Sequence, residues 1–242
     1  RPRLQRRQRG EYHPVDDFLF DYYTVRPGQL ARWHPGPSTT LEAPVDHLAG
    51  VAGFRTRSGA VGVDPDATDR QSALLDPFDR LRAATESRRP QNGCSALHEW
   101  AMVYRLEQSE VRHAAWPLRL SPEEIADVVD GVGLGCTHFD AYRFFTPAAR
   151  PRNPVALTME DQPRFEQPGC IHATMDLYKW ASKCMPWVGS QLHWDCFQLA
   201  LKARELDMRA SPYDLSEYGY EPVKIETREG RTEYETMQRE IS

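Results

Sequence analysis

The stretch SPEEIADVVDGVGLGCTHFDAYRFF, residues 121–145, carries the strongest fold signal in the chain. Ser121 before Pro122 and two glutamates is typical of a helix start, because serine caps backbone N–H groups and proline fits the first turn. Apolar residues then recur at helical spacing until the glycines of 131–135 end the helix. Residues 137–145 follow this glycine turn and are the best strand candidate. A helix joined to a strand in this way indicates an α+β fold.

The rest of the chain adds mainly helical signals. Apolar residues recur at helical spacing in several segments, namely 18–23, 76–88, 95–108, 170–184, 191–208 and a C-terminal segment from about 231. Asp76-Pro77 and Ser211-Pro212 repeat the capping pattern of Ser121-Pro122 and predict two more helix starts. Residues 51–65 could form a small hairpin. The segments 34–75 and 146–169 are rich in Pro and Gly, and we predict them to be long loops. We therefore expect a predominantly helical α+β domain with a small sheet, which holds residues 137–145.

Length and charge limit the possible classes of protein. A chain of 242 residues corresponds to one large domain, so we predict a single globular domain over 1–242. The net charge is −5, but residues 1–10 hold five arginines and no acid, so the remainder carries −10. An acidic body disfavours non-specific nucleic-acid binding, which depends on phosphate neutralisation. We predict a basic N-terminal arm over 1–12, which could contact phosphate or an anionic surface.

Hydropathy indicates a protein that does not span a membrane, and cysteine usage indicates a reducing compartment. No apolar run approaches the ~18 residues of a membrane helix. The five cysteines are odd in number and none form a CxxC pair. This pattern favours reduced thiols and a cytoplasmic location over a disulfide framework or a zinc ribbon.

Three short segments concentrate histidine and acidic residues. They are His98-Glu99 on a predicted helix, His138 with Asp140 on the predicted strand, and His172 with Asp176 on another predicted helix. Residues two apart on a strand, or four apart on a helix, share a face. Imidazoles and carboxylates that converge can bind one metal ion or transfer protons. The candidate metal ligands are therefore His98, His138, Asp140, His172 and Asp176.

A second group of residues is suited to binding an anion or a base. Arg26, Arg32 and Trp33 lie within residues 22–36, where aromatic residues alternate with arginine. Such a segment could stack a nucleic-acid base and bind its phosphate, or cover a small anionic substrate. Arg209 is a further possible anion contact.

Several long motifs resemble a known family. They are ALHEWAMVYR (96–105), GCTHFDAYRFFTPAARPRN (135–153), QPGCIHATMDLYKWASK (167–183) and DMRASPYDL (207–215). With residues 13–36 and 219–234, they resemble actinobacterial proteins commonly labelled 3-methyladenine DNA glycosylase, over most of the chain except residues 45–75. The helix-hairpin-helix turn of many glycosylases is not found in the sequence.

The resemblance implies hydrolysis of the N-glycosidic bond to an alkylated purine in DNA, without a cofactor. The damaged base would be flipped out of the duplex. A carboxylate, from Glu99, Asp140 or Asp176, would activate water or stabilise the sugar cation. The cationic base would stack on an aromatic ring, from Trp33, Trp100 or Tyr142.

The residues themselves leave two alternatives open. One is a metal-dependent enzyme, hydrolytic or oxidative, that acts on a small molecule with Fe, Zn or Mn at the His/Asp site. The other is a non-catalytic binding module in which the same side chains are hydrogen-bonded polar groups of the core. The sequence leaves the substrate, the metal and the oligomeric state undetermined.

Overall fold

The computed structural model describes residues 2–242, apart from the side chains of residues 2, 4, 68–72 and 74. It is 49% helical and contains a small three-stranded antiparallel sheet, which confirms the predicted helical α+β class. The helices, in chain order, are α1 (Pro2–Gln8), α2 (Phe18–Tyr22), α3 (Pro27–Leu30), α4 (Thr68–Glu86), α5 (Leu97–Val103), α6 (Pro122–Val132), α7 (Phe139–Tyr142), α8 (Gln162–Phe165), α9 (Ile171–Lys183), α10 (Ser190–Arg209) and α11 (Arg228–Ile241).

The sheet contains the hairpin predicted within residues 51–65. Strands β2 (Phe54–Arg57) and β3 (Ala60–Val63) pair with Phe54 opposite Val63, and β1 (Leu41–Glu42) pairs with the other edge of β3. The two-residue turn Ser58-Gly59 has positive φ angles of 50° and 79°, the conformation that matches the twist of a tight hairpin. The prediction of a long loop over 34–75 is therefore wrong, since this range holds the whole sheet and the start of α4.

The predicted strand over residues 137–145 is wrong. Helix α7 lies there instead, and its backbone bonds are local, such as Tyr142 N–H to the His138 carbonyl at 3.0 Å. The glycine turn that suggested a strand ends α6 at Val132 but does not decide which element follows it. Residues 146–169 are also more ordered than a loop, with 3₁₀ turns at Arg150–Arg152 and Met159–Asp161 before α8.

The capping pattern is confirmed at one of its three positions. Ser121 caps α6 in a reciprocal capping box with Glu124. Asp76-Pro77 lies inside α4 rather than at its start, and Ser211-Pro212 begins no α-helix among the described residues. The local pattern was the same in all three cases, so the helix starts were decided by the surrounding packing.

The contacts of the chain divide into two compact units. Unit 1 comprises the chain up to residue 82 and residues 175–201, and unit 2 comprises residues 83–174 and 202–242. Leu19 and Tyr178 are fully buried in unit 1, and Trp100 and Tyr234 are fully buried in unit 2. No described helix combines the length and the apolar character required to span a bilayer.

The basic N-terminal arm is folded against acidic residues of unit 1. Arg3 pairs with Asp21 at 2.7 Å, and Arg6 pairs with the buried Asp17 at 2.9 Å. Arg1 lies outside the described residues. Much of the positive charge of this arm is therefore neutralised within the protein.

Candidate functional site

Helix α5 begins with an unusual backbone and carries two buried polar side chains. Ser95 and Ala96, just before the helix, have φ angles of 45° and 56°, which residues other than glycine rarely adopt. Backbone strain of this kind is most often found at functional sites. The helix then presents His98 and Glu99, which are 2% and 7% exposed, toward the interior of unit 2.

These two side chains belong to a buried network with two residues of α10. Nε2 of His98 lies 2.7 Å from Oδ1 of Asp207, and the Nη1 group of Arg204 donates to Oδ2 of Asp207 at 2.8 Å. The same guanidinium donates to Oε1 of Glu99 at 3.1 Å. Two cations thus face two carboxylates among buried side chains.

The network perturbs the protonation of each member. Burial opposes the charging of His98, but the charge and hydrogen bond of Asp207 outweigh it and raise the pKa of His98 well above its usual value. Burial also opposes the ionisation of Asp207, yet His98 and Arg204 hold its pKa below the usual range. Burial and the Asp207 charge raise the pKa of Glu99, against the effect of Arg204. His98 and Asp207 are therefore a charged pair at neutral pH.

Two further histidines extend the network as a stack of rings. The His172 ring packs edge-on against His98, with centroids 4.4 Å apart, and stacks on His138 at 5.3 Å. Nδ1 of His138 lies 3.1 Å from Oε1 of Glu166, and both side chains are buried. Burial and the nearby charge of His98 lower the pKa of His172 well below its usual value. The His172 imidazole is therefore neutral, the form that binds metals.

Three of these side chains lie close enough together that they could hold one metal ion. One possible ligand atom from each of His98, His172 and Asp207 lies within 4.8 Å of the other two. A small cavity of about 10 Å³ adjoins both histidines and is also lined by Cys94 and Cys170. A volume of this size holds about one water-sized molecule. The arrangement could hold one cation and a single small ligand beside it.

The structure places the sequence-predicted metal ligands in both compact units. His98, His172 and His138 are neighbours in unit 2. Asp140 is half-buried on α7 and pairs with Arg143 at 3.1 Å. Asp176 belongs to unit 1, where it accepts a hydrogen bond from the Tyr23 hydroxyl at 3.0 Å and pairs with Lys179.

The predicted substrate-binding residues also occupy different environments. The Trp100 ring is fully buried, and its indole N–H donates to the Ala210 carbonyl at 2.9 Å, so this ring is part of the core. Tyr142 is buried too and packs on Phe145. Arg209 donates to the Glu221 carbonyl at 3.0 Å. The other three predicted residues lie in unit 1, where Arg26 and Trp33 are exposed and Arg32 is half-buried.

Sequence reasoning missed Asp207, Arg204 and Glu166. The sequence did carry a signal for Asp207 and Arg204. Each directly follows a fully buried residue of α10, Leu206 and Ala203 respectively. Charged residues on the apolar face of a helix are rarely buried unless they are paired. Glu166 carried no such signal, since it lies just beyond α8 in a stretch without periodicity.

Comparisons of this chain with protein-family models, with curated proteins and with solved structures found no match.

Proposed function

We propose that this protein is a metal-dependent enzyme whose divalent ion is held by His98, His172 and Asp207. The observation that carries the proposal is the convergence of one ligand atom from each of these residues to within 4.8 Å. Two imidazoles and one carboxylate are a common ligand set for catalytic zinc and for non-haem iron. A three-residue set leaves a coordination position for water, which the small cavity beside the histidines can hold.

The donor atoms favour Fe, Zn or Mn over a sulfur-bound metal. Burial raises the pKa of Cys170 to about 12, and burial raises that of Cys136 well above its usual value. A raised thiol pKa disfavours the thiolate, which is the form that binds metals. A bound ion of this class supplies Lewis-acid activation of water or, for iron, activation of dioxygen.

The surrounding side chains support such a site. A proton lies between Nε2 of His98 and Oδ1 of Asp207, the two atoms that would bind the metal ion. Positive charge is therefore already stabilised at this position. Arg204 and Glu99 hold Asp207 and α5 in position through the buried hydrogen bonds. Outer partners of this kind orient ligands and sustain metal affinity.

The small cavity limits the reaction class. It has room for one water-sized molecule beside the histidines, which supports a reaction in which water or dioxygen is one reactant. We propose a small organic molecule as the other reactant.

Cys94 and the four other described cysteines are free thiols, which supports a reducing, cytoplasmic location.

Metal content is the direct test. The full chain, purified without chelators and then saturated in separate samples with Zn²⁺, Mn²⁺ or anaerobic Fe²⁺, is expected to retain about one ion after desalting. His172→Ala should lose this ion, while His47→Ala, which removes an exposed histidine of unit 1, should keep it. Far-UV circular dichroism verifies that both variants are folded. Equal metal content in the two variants, or none in the wild type, would refute the site.

Turnover separates an enzyme from a metal-binding protein. The zinc and manganese forms are assayed with chromogenic esters and phosphate esters, and the ferrous form is assayed for dioxygen consumption. We expect one of these activities, and we expect His172→Ala to abolish it. A stoichiometric metal complex that is inactive in every assay would contradict the enzymatic part of the proposal.

DNA base excision, which the resemblance implies, is a second candidate. The observation that favours it is Trp33, which is 55% exposed and lines a shallow surface depression with Arg32. An exposed aromatic ring beside a guanidinium can stack a base and bind its phosphate. Release of 3-methyladenine from alkylated DNA is expected to fall in Trp33→Ala and to persist in Trp194→Ala, which removes a ring 44% exposed. Failure of the wild type to release any base would exclude this activity.

A further inference from the structure

Unit 1 contains a cavity that neither candidate function occupies, although its residue Arg32 also lines the surface depression beside Trp33. Its volume is about 630 Å³, which is typical of pockets that bind small molecules. Its wall combines loop residues before and after α3 with residues near the end of α9. Apolar side chains form part of this wall, including Val25, Phe54 and Met185.

The charge of the cavity is positive. Arg32, Lys179 and Lys183 line it, and none of the described lining residues is an aspartate or a glutamate. Lys179 pairs with the buried Asp176 beside the cavity, so its charge is largely compensated. Arg32 and Lys183 therefore give the cavity wall two remaining positive charges. A cavity of this composition favours an anion of charge −2.

His34 provides an unsatisfied donor in the same wall. It is 1% exposed, and its Nδ1 accepts the Gly36 N–H at 3.3 Å. A neutral imidazole that accepts at Nδ1 carries its proton on Nε2. This Nε2 is buried without a hydrogen-bond partner in the described structure. Buried donors are almost always paired, so the missing acceptor points to a ligand.

The backbone at the cavity supports the same interpretation. Thr24 lines the wall and has a φ angle of 55°, which is unusual for a β-branched residue. Strain of this type is found where a ligand is bound. The Phe54 ring packs edge-on against His34, with centroids 5.0 Å apart, and so holds the imidazole in place.

We propose that this cavity binds a small phosphorylated molecule, with its phosphate between Arg32, Lys183 and Nε2 of His34. The guanidinium of Arg32 can donate two parallel hydrogen bonds to phosphate oxygens. The His34 N–H supplies a third, neutral donor. The apolar wall around Val25 and Phe54 accommodates the organic part of the ligand.

Calorimetry with simple probes tests the site. Phenyl phosphate, inorganic phosphate, benzoate and phenol are titrated into the full chain at low ionic strength. EDTA and the His172→Ala background prevent phosphate binding by a metal at the other site. We expect phenyl phosphate to bind more tightly than the other three probes. Arg32→Gln and Lys183→Gln should each weaken this binding by about 10- to 100-fold, as expected for a lost charged hydrogen bond.

A matched arginine provides the control. Arg26 lies six positions before Arg32, is exposed and does not line the cavity. Arg26→Gln should leave the affinity for phenyl phosphate unchanged, and both arginine variants should keep the far-UV spectrum of the wild type. Three results would overturn the proposal: no binding of phenyl phosphate, tighter binding of benzoate, or equal losses in Arg26→Gln and Arg32→Gln.

Discussion

Nε2 of His98 lies 2.7 Å from Oδ1 of Asp207, although the two residues are 109 positions apart in the chain. Their side chains are 2% and 0% exposed. Burying two charges is costly unless each finds its counter-charge and further hydrogen bonds, and Arg204 provides the latter to Asp207. This contact joins α5 to α10 within unit 2 and places a proton where the proposed metal ion would bind.

Removal of Asp207 should be strongly destabilising. Asp207→Asn leaves the cations of His98 and Arg204 without their shared counter-charge, and we expect the free energy of unfolding to fall by about 3–5 kcal/mol. Asp195→Asn, an exposed position on the same helix, should change it by less than about 0.5 kcal/mol. Urea denaturation followed by circular dichroism measures both values. Similar losses in the two variants would contradict a buried ion pair.

Metal binding should release a proton. The proposed ion must displace the proton that His98 holds against Asp207, so about one proton should leave for each ion bound near pH 7. For the same reason, the affinity should rise about tenfold per pH unit while His98 is protonated. Calorimetry in two buffers of different ionisation enthalpy measures the released protons. A binding heat that is independent of the buffer would argue against His98 as a ligand.

Protein stability should fall between about pH 6.5 and pH 4, and His193 should contribute to this fall. Burial, together with the nearby His34, lowers the pKa of His193 from 6.5 to about 4. The unfolded chain therefore binds more protons than the folded protein in this range, and stability decreases as the pH falls. We expect this histidine to contribute roughly 1–3 kcal/mol to the loss.

The variant His193→Gln isolates this contribution. Nε2 of His193 lies 2.8 Å from the Ser182 hydroxyl, and the glutamine amide offers a donor that does not titrate. The unfolding free energy of the variant should depend less steeply on pH between 6.5 and 4 than that of the wild type. Parallel profiles would mean that His193 does not contribute.

Two glycines in unit 2 should respond in opposite ways to alanine. A Cβ atom at Gly230 would overlap the carbonyl oxygen of Lys224, so Gly230→Ala requires a backbone shift and should cost several kcal/mol. Gly131 is exposed inside α6 and has open space around it. Gly131→Ala should raise stability by about 0.5–1 kcal/mol. Thermal unfolding tests the pair, and a stable Gly230→Ala protein would contradict the close contact.

Local features of the sequence were sufficient to predict most helices and the hairpin. The capping box at Ser121 and the tight turn at Ser58-Gly59 each depend on a few adjacent residues. The strand expected at 137–145 failed because a glycine turn ends the helix before it without deciding whether a strand or a helix follows. The capping pattern at Ser211-Pro212 failed because the same local pattern also occurs where the surrounding packing forms no helix.

For the candidate site, the sequence by itself determined which residue types could act: three histidines, each within four positions of a carboxylate or thiol. It did not determine their partners. The tertiary structure alone decided that Asp207 faces both His98 and Arg204, and that Glu166 faces His138. It also decided that Nε2 of His34 has no hydrogen-bond partner among the described residues. The physical reason is that helix caps and turns arise from neighbouring residues, whereas charge pairing in a core depends on long-range packing that brings distant helices together.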